Sequence, residues 1–304
     1  MVTGVLPADS VDLTPASVRK RASMPGPLAV IFASIVAASA MAVFFGAFAY
    51  GLSGLQEQRS QAELYASFRG LLDPSSPIAP KIGGAIAPGS PVALLNSPQA
   101  GLHNVIVVEG TSSGDLLDGP GHLRNSPLPG QDGESILMGT SETAGQPFGG
   151  ITRLRKGDVI TVTTGQGGFR FVVEGQRLAG DQLPEIPSSG ALLTLVTAAG
   201  SGWLGRLAPN HLVYVDAKLI GKAVTAPPGR PMIVAPADIQ GHGDPAAWPF
   251  VVLWLQALLV GSIVLVWLWS RWRLPRTWLV GGPVLLAILW ALSTEAMRLL
   301  PNVY

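Results

Sequence analysis

The sequence contains no cysteine among its 304 residues, which excludes disulfide bonds, thiolate metal ligands and cysteine nucleophiles together. Charge is also scarce, because only 13% of residues are charged and the formal net charge is +1. Such a chain lacks the broad basic field that nucleic acid binding requires. The four histidines, His103, His122, His211 and His242, do not have HxxxH or HExxH spacing. We therefore expect no nucleic acid partner, no metal site and no cofactor.

Three long apolar segments account for the 48% hydrophobic content and predict a membrane protein. The first, Leu28 to Leu55, has no charge and exceeds the ~20 residues that span a bilayer as a helix. It is also longer than the apolar core of a signal peptide, about 7 to 15 residues. We favour an uncleaved anchor, and the alanine-rich composition leaves cleavage open. The second and third segments are Trp248 to Ser270 and Thr277 to Thr294.

Basic residues predict how these segments are oriented in the plasma membrane. Three precede the first helix at 19–21, and three arginines lie in the short link at 271–276. Basic segments remain cytoplasmic, so the N-terminus is expected inside and the roughly 190 residues between the first two helices outside, enough for one domain. Tryptophans near the last two helices are expected to anchor them at the lipid interface or to contact another membrane subunit. They are Trp248, Trp254, Trp267, Trp269, Trp272, Trp278 and Trp290.

The region between the first two membrane segments reads as short β-strands divided by glycine and proline. Closure of these strands into a small barrel would remove exposed sheet edges. The GQGG segment, Gly165 to Gly168, is typical of a hairpin turn, because glycine supplies the positive φ that tight turns need. The apolar runs are VALLN, NVIVVEG, SILMG, DVITVTT, FRFVVEGQR, ALLTLVTAA and HLVYVDAKLI.

Several ordered motifs in this region resemble the sortase family, most closely its actinobacterial class E-like members. VIVVEG, GPGH, LPG, PF and KGD follow one another in the family's order, and the closing strand HLVYVDAKLIG is similar to the family's own. The family's catalytic strand reads TLVTC, where this chain has TLVTA. The resemblance covers roughly residues 91–222 and implies a closed sortase-like β-barrel in a Gram-positive, actinobacterial cell-surface protein.

The same resemblance implies that the catalytic positions of a sortase are vacant here. A sortase uses a cysteine to form a thioacyl enzyme, a histidine to move protons and an arginine to steady the substrate or oxyanion. The corresponding positions are Ala198, Thr140 and Leu212, with His211 the other candidate for the arginine position. Because a methyl group cannot form a thioester, transpeptidase chemistry is not expected. We interpret the chain as a pseudo-sortase.

Two further interpretations of these residues remain open. Thr140, Ser141 and Glu142 could form a replacement hydroxyl and acid site with Thr197, Ser201 or His211, although turn capping is the simpler reading of such hydroxyls. His122 or His211 would then be the base. If the site instead holds a peptide, the lining residues would be Thr140, Ser141, Glu142, Thr197, Ala198 and His211.

The leading hypothesis is a membrane-anchored, extracytoplasmic sortase-like barrel that binds a peptide or protein without chemistry. The alternatives are a structural subunit of a larger membrane complex and a residual hydrolase or acyltransferase. The expected partners are an extracytoplasmic peptide or membrane protein, and membrane lipid. The predicted organisation is a cytoplasmic tail (1–27), a first membrane helix (28–55), a stalk and linker (56–90), the barrel (91–224), a linker (225–247), a second membrane helix (248–270), a cytoplasmic loop (271–276), a third membrane helix (277–298) and an extracytoplasmic tail (299–304).

Overall fold

The computed structural model describes residues 26–76, 79–184, 190–200, 211–271 and 274–303. The basic segment 19–21 and Ser201, both used in the sequence predictions, lie outside these ranges. The chain divides into two compact units, Met1–Ala42 and Val43–Tyr304. All contacts described below lie within the second unit.

Four α-helices flank the β-strands in the chain. Helix α1 (Gly26–Ala47) passes through a π-helical turn, Phe48–Leu52, into α2 (Ser53–Leu72). Helices α3 (Trp248–Arg271) and α4 (Leu274–Leu299) follow the barrel and pack against each other.

Three stretches of these helices are long and apolar enough to cross a membrane, as the composition predicts. They are Ser34–Leu72, Pro245–Leu268 and Leu279–Leu299. The first and third also touch each other, because the rings of Phe48 and Trp290 meet edge to face with centroids 5.1 Å apart.

Eight strands close into a barrel in the order β1-β2-β3-β4-β7-β8-β6-β5, which confirms the predicted fold class. Seven of them coincide with the apolar runs of the sequence, and β8 begins and ends where HLVYVDAKLI does. The two-residue strand β3 has no such run and was not predicted. The strands are β1 (Pro91–Ser97), β2 (Leu102–Glu109), β3 (Gly121–His122), β4 (Gly133–Met138), β5 (Val159–Thr164), β6 (Gly167–Leu178), β7 (Ala191–Ala199) and β8 (His211–Ile220).

The glycine segment 165–168 forms the predicted hairpin between β5 and β6. Thr164 pairs with Gly167, which leaves two residues in the turn, and Gly167 has a φ of +127°. Such a φ is strained for any residue with a side chain. Apolar side chains that alternate along these strands, among them Val162 and Phe171, fill the barrel interior.

Helix α2 packs directly on the barrel, where the sequence predicted a stalk. The Gln61 side-chain amide accepts a hydrogen bond from the Ile106 N–H at 2.8 Å and donates to the Ile106 carbonyl at 3.0 Å. It also donates to the Asp118 carbonyl at 2.8 Å. The amide thus satisfies backbone groups of β2 that would otherwise be left without partners. The helix is fixed to the barrel at this point.

The segment after the barrel, residues 225–247, was expected to be a tether and instead lies on the barrel surface. Arg230 forms an ion pair with Glu109 of β2 at 3.1 Å. Asp238 is 4% exposed and accepts a hydrogen bond from the Thr111 N–H at 2.9 Å. In the predicted stalk and linker (56–90), Ile86 is likewise buried in the core. In the described segments 79–90 and 225–247, the longest regular elements are the three-residue 3₁₀ turns Pro236–Asp238 and Pro245–Ala247, and individual side chains hold both segments in place.

Candidate functional site

The outer face of β4, β7 and β8 carries the positions that the sequence singled out. Leu193 and Leu195 of β7 point into the barrel, so Val196 and Ala198 point outward by the strand alternation. Ala198 pairs with Leu212 across the β7–β8 ladder. The fold therefore places Ala198 and Leu212, two of the three positions that the sequence singled out, side by side.

The third position, Thr140, follows β4 and is held against β7. The Gly139 N–H donates to the Val196 carbonyl at 3.0 Å, and the Thr197 hydroxyl donates back to the Gly139 carbonyl at 2.7 Å. The Ser141 hydroxyl donates to the Ala198 carbonyl at 2.6 Å. These bonds bring Thr140, Ala198 and Leu212 into one region, as the resemblance implies.

The hydroxyl groups of this region are committed to backbone carbonyls. Thr140 donates to the Thr143 carbonyl at 2.8 Å, in addition to the bonds made by Ser141 and Thr197. Thr140, Ser141, Thr197 and Ala198 are all buried, with at most 7% of their surface exposed. A hydroxyl that donates its only proton to a carbonyl is not activated by a base. The Thr140 bond is local to the turn, whereas the Ser141 and Thr197 bonds fasten the turn to β7.

Glu142 and His211 are half-buried and line two different cavities. His211 lines a cavity of about 470 Å³ with Arg177 and Asp181, whereas Glu142 lines one of about 630 Å³ next to helix α2. These residues therefore do not place a hydroxyl, a base and an acid around one cavity.

The far end of the outer face is polar. Thr194 lies between two carboxylates, with its hydroxyl 2.7 Å from Glu134 and 3.0 Å from Asp216. Arg177 forms an ion pair with Asp216 at 2.8 Å and lies 4.2 Å from the centre of the Tyr214 ring. Asp216 is therefore a salt-bridged carboxylate.

Two segments of the chain itself cover this outer face. The first, which we term the strap, is residues 234–240, and the second, the tail, is residues 300–303. Between the strap and the strands lies a mainly apolar cavity of about 240 Å³. The Tyr214 hydroxyl donates to Gln240 of the strap at 3.1 Å. Neither segment carries a periodic pattern, and no signal in the sequence indicates that they lie here.

The tail is bound through Asn302 and Val303. The Asn302 side chain donates to the Thr111 carbonyl at 2.6 Å and accepts from the Gly241 N–H at 2.7 Å. Val303 is fully buried against Leu116, Met138 and Val196. Its φ of +67° is uncommon for a β-branched residue and costs free energy that the surrounding contacts must offset. The tail therefore fills the space next to Thr140.

His122 of the GPGH motif belongs to a buried polar network. Its Nδ1 lies 2.9 Å from Glu109 Oε2, and its Nε2 lies 2.9 Å from the Pro127 carbonyl. Glu109 therefore lies between the His122 ring and the Arg230 guanidinium, and all three side chains are largely shielded from solvent.

The described part of the chain contains no group of three or more histidine, cysteine, aspartate or glutamate side chains that could hold a metal ion. In the described ranges, the nearest approach to such a cluster is the set of carboxylates close to the end of α4. There, Arg298 pairs with Asp244 at 2.6 Å and with Glu295 at 3.0 Å. The arrangement is an ion-pair network that fastens the end of the helix to residue 244.

Comparison with known proteins gives one family. Residues 95–208 match the family described as the sortase domain. No curated protein matches the chain in sequence.

Solved structures with related folds include a sortase transpeptidase from Clostridium perfringens, which is 22% identical. That alignment covers 54% of this chain and 98% of the other, with a TM-score of 0.41. Sortase E from Streptomyces avermitilis is 30% identical over 45% of this chain and 91% of the other, with a TM-score of 0.37. A Streptomyces coelicolor sortase that holds a tripeptide in its active site is 25% identical over 46% and 93%, with a TM-score of 0.36.

Proposed function

The β domain of this chain, at residues 95–208, belongs to the sortase domain family, and from that premise we propose that it acts as a binding module without sortase chemistry. The proposal rests on the identity of two side chains on the outer face of β7 and β8. Where the family resemblance places a nucleophile and an arginine, this chain has the side chains of Ala198 and Leu212, paired across the β7–β8 ladder. Neither side chain can attack a carbonyl or stabilise an oxyanion.

The proposed location is the plasma membrane, with the N-terminus in the cytoplasm and the barrel outside. This orientation rests on the basic segments at 19–21 and 271–276. It places the barrel and the strap on the side where an extracytoplasmic peptide or a membrane protein would meet them. Lipid contacts the three apolar helices.

The proposed ligand-binding surface is the outer face of β4, β7 and β8 that the tail now covers. An apolar site next to Val196 and a polar site for a side-chain amide already hold Val303 and Asn302. A segment from a partner with the same pattern of groups would bind there after the tail leaves, through backbone and side-chain hydrogen bonds.

A peptide-binding measurement tests this proposal. A fluorescent peptide with the sequence of residues 297–304 is titrated against the full chain and against a chain that ends at Leu299, and anisotropy is recorded. We expect binding to the shortened chain and none to the full chain, because the tail competes within the molecule. A peptide with Val303→Asp is the control and should not bind. The proposal would be refuted if the folded shortened chain did not bind the peptide, or bound it no better than the full chain does. Equal binding of the Val303→Asp peptide would also refute it.

A structural role in a larger membrane complex is the second candidate, and it is favoured by the way the helices are fastened to the barrel. Arg298 at the end of α4 pairs with Asp244, and the tail continues directly onto the barrel. A partner that held the α3–α4 pair would therefore also position the barrel. Copurification in mild detergent tests this role, and a bare monomer under every gentle condition would argue against it.

The residual hydrolase is the least supported of the three functions, since the hydroxyls of Thr140, Ser141 and Thr197, the candidates among the described residues, donate to backbone carbonyls. An acyl-enzyme trap followed by peptide mapping should label none of Thr140, Ser141, Thr197 or Ser201. Specific labelling at one of them would restore this candidate.

A further inference from the structure

A cleft of about 630 Å³ lies between helix α2 and the loop that follows β4, on the opposite side of that loop from the tail. Its walls come from Glu57 of α2, the turn at 100–102 and residues 141–153. Four of the lining residues are glycines: Gly101, Gly145, Gly149 and Gly150. The cleft takes no part in the function proposed above.

Glu57 is the unusual feature of this cleft. It is only 9% exposed, and no hydrogen bond or ion pair among the described residues involves its carboxylate. Burial of a carboxylate without a partner is costly. Neither oxygen of Glu57 is among the fully enclosed side-chain atoms that lack a hydrogen bond, so the carboxylate reaches the solvent of the cleft and is accessible to a ligand. The carboxylate lies against Gly145, where an added Cβ would come within 2.5 Å of Glu57 Oε2. The glycine therefore leaves room for it.

The helix and the loop are joined so that Glu57 faces the cleft and not the bilayer. One helical turn before Glu57, the Ser53 hydroxyl accepts a hydrogen bond from the Ala144 N–H at 3.1 Å. Ala144, Gly145 and Gln146 follow with φ values of +48°, +74° and +58°. Three successive left-handed residues, two of them not glycine, hold the loop in a costly shape beside the carboxylate.

The charge of the cleft favours a cation. Glu142 contributes a second carboxylate, and none of the described hydrogen bonds or ion pairs involves it. Arg153 is the one cation among the lining residues, and it lies toward the turn at 100–102, where a Cβ on Gly101 would be 3.6 Å from Arg153 Nη2. Two carboxylates without an ion-pair partner among the described residues line the cleft, and they suit a group with several N–H donors.

We propose that this cleft binds a primary ammonium group, with Glu57 as its buried anchor and Glu142 at its rim. An ammonium group has three N–H donors and a compact charge, so two carboxylates can share it. A metal ion is a poorer fit, since the described residues supply two acids here and no third ligand of the same kind. The ammonium group can belong to a free amine or to a lysine side chain of a peptide.

The test is a titration of the full chain in detergent with two probes, cadaverine and the peptide Gly-Gly-Lys-Gly-Gly. Ligand-observed NMR reports binding, with N,N′-diacetylated cadaverine and the Lys→norleucine peptide as neutral controls. Both peptides carry an N-terminal acetyl group and a C-terminal amide, so that the lysine side chain supplies the one ammonium group of the probe. We expect Glu57→Gln to weaken binding at least about tenfold and Glu142→Gln to weaken it less. Glu63→Gln is the matched control, because Glu63 lies on the same helix with a side chain that is 69% exposed.

The two probes separate the two sources of the amine. Tighter binding of the peptide would assign the site to a lysine side chain, and tighter binding of cadaverine would assign it to a free amine. The proposal would be overturned if the native chain and the Glu57→Gln variant bound the probes equally. It would also be overturned if neither probe bound at concentrations up to about 10 mM, which corresponds to a standard binding free energy of about 2.7 kcal/mol. Thermal unfolding shows that each variant is folded, and binding of the 297–304 peptide to the shortened chain should be unchanged by Glu57→Gln.

Discussion

Replacement of Asn302 by alanine should release the tail and expose the surface beneath it. The substitution removes two hydrogen bonds and leaves the Thr111 carbonyl and the Gly241 N–H without their partners in a buried place. An unsatisfied buried group costs about 1–3 kcal/mol, so two of them weaken the docked tail by about 2–4 kcal/mol. The fraction of molecules with the tail released should then rise about 30-fold or more, at 1.4 kcal/mol per factor of ten.

Because the chain has no cysteine, thiol labelling can report on one engineered position. Val196→Cys places a thiol of similar size under Val303, where the side chain is 1% exposed. In this background Asn302→Ala should raise the rate of maleimide labelling by the same factor as the population of the released state. Asn125→Ala, at an exposed position, is the matched control and should leave the rate unchanged.

A second reporter separates release of the tail from unfolding of the barrel. Val215→Cys lies on the neighbouring strand β8 and points into the core. Its labelling should stay slow in the Asn302→Ala variant, because the barrel remains closed. The reasoning would be refuted if Asn302→Ala changed the labelling rate of Val196→Cys by less than about twofold, since a difference below about 0.5 kcal/mol is too small for two buried hydrogen bonds. Equal acceleration of labelling at both reporters would also refute it, because the barrel would then be unfolding.

Three further predictions concern stability. Glu109→Gln leaves the buried Arg230 guanidinium without its counter-charge and removes the carboxylate that faces His122, so it should destabilise the fold by about 3–5 kcal/mol in denaturant unfolding, whereas the exposed Glu174→Gln should change the stability by less than about 0.5 kcal/mol. Gln61→Ala removes three hydrogen bonds to backbone groups and should lower the stability by about 2–4 kcal/mol, while Gln58→Ala on the exposed side of α2 is neutral; equal effects would contradict the role given to the amide. Burial, followed by a neighbouring carboxylate, raises the pKa of the Asp115 carboxyl, so its ionisation costs folding free energy as the pH rises above the unfolded-state pKa. Asp115→Asn should therefore stabilise the chain at pH 7 with a gain that shrinks toward pH 4, and a gain independent of pH would count against this explanation.

The barrel could be predicted because its strands carry their own signal. A nearly continuous apolar run marks β7, apolar residues mark β8, and glycine marks the β5–β6 turn. The strand β3 is two residues long and has no room for such a pattern. Local sequence was therefore sufficient for the strands that carry an apolar run.

The covering of the candidate site could not be predicted in the same way. Asn302 is bound by residues 61 and 191 positions away, and Val303 packs on residues of three separate segments, so each makes its contacts individually. No pattern within α2 singles out Glu57. The significance of that carboxylate depends on the loop packed against it and not on any pattern within the helix. Long-range packing of single side chains leaves no periodic trace.

The position of the tail in the chain affects the order in which the protein is made. The last barrel strand ends at Ile220, and the tail begins at Leu300, 80 residues later. At about 5–20 residues per second, a ribosome needs roughly 4–16 s to add this stretch. During that interval the barrel strands are complete while the surface next to Ala198 still lacks its cover. A newly made chain thus passes through a stage in which this surface is open to a neighbouring polypeptide, because the tail has not yet been synthesised.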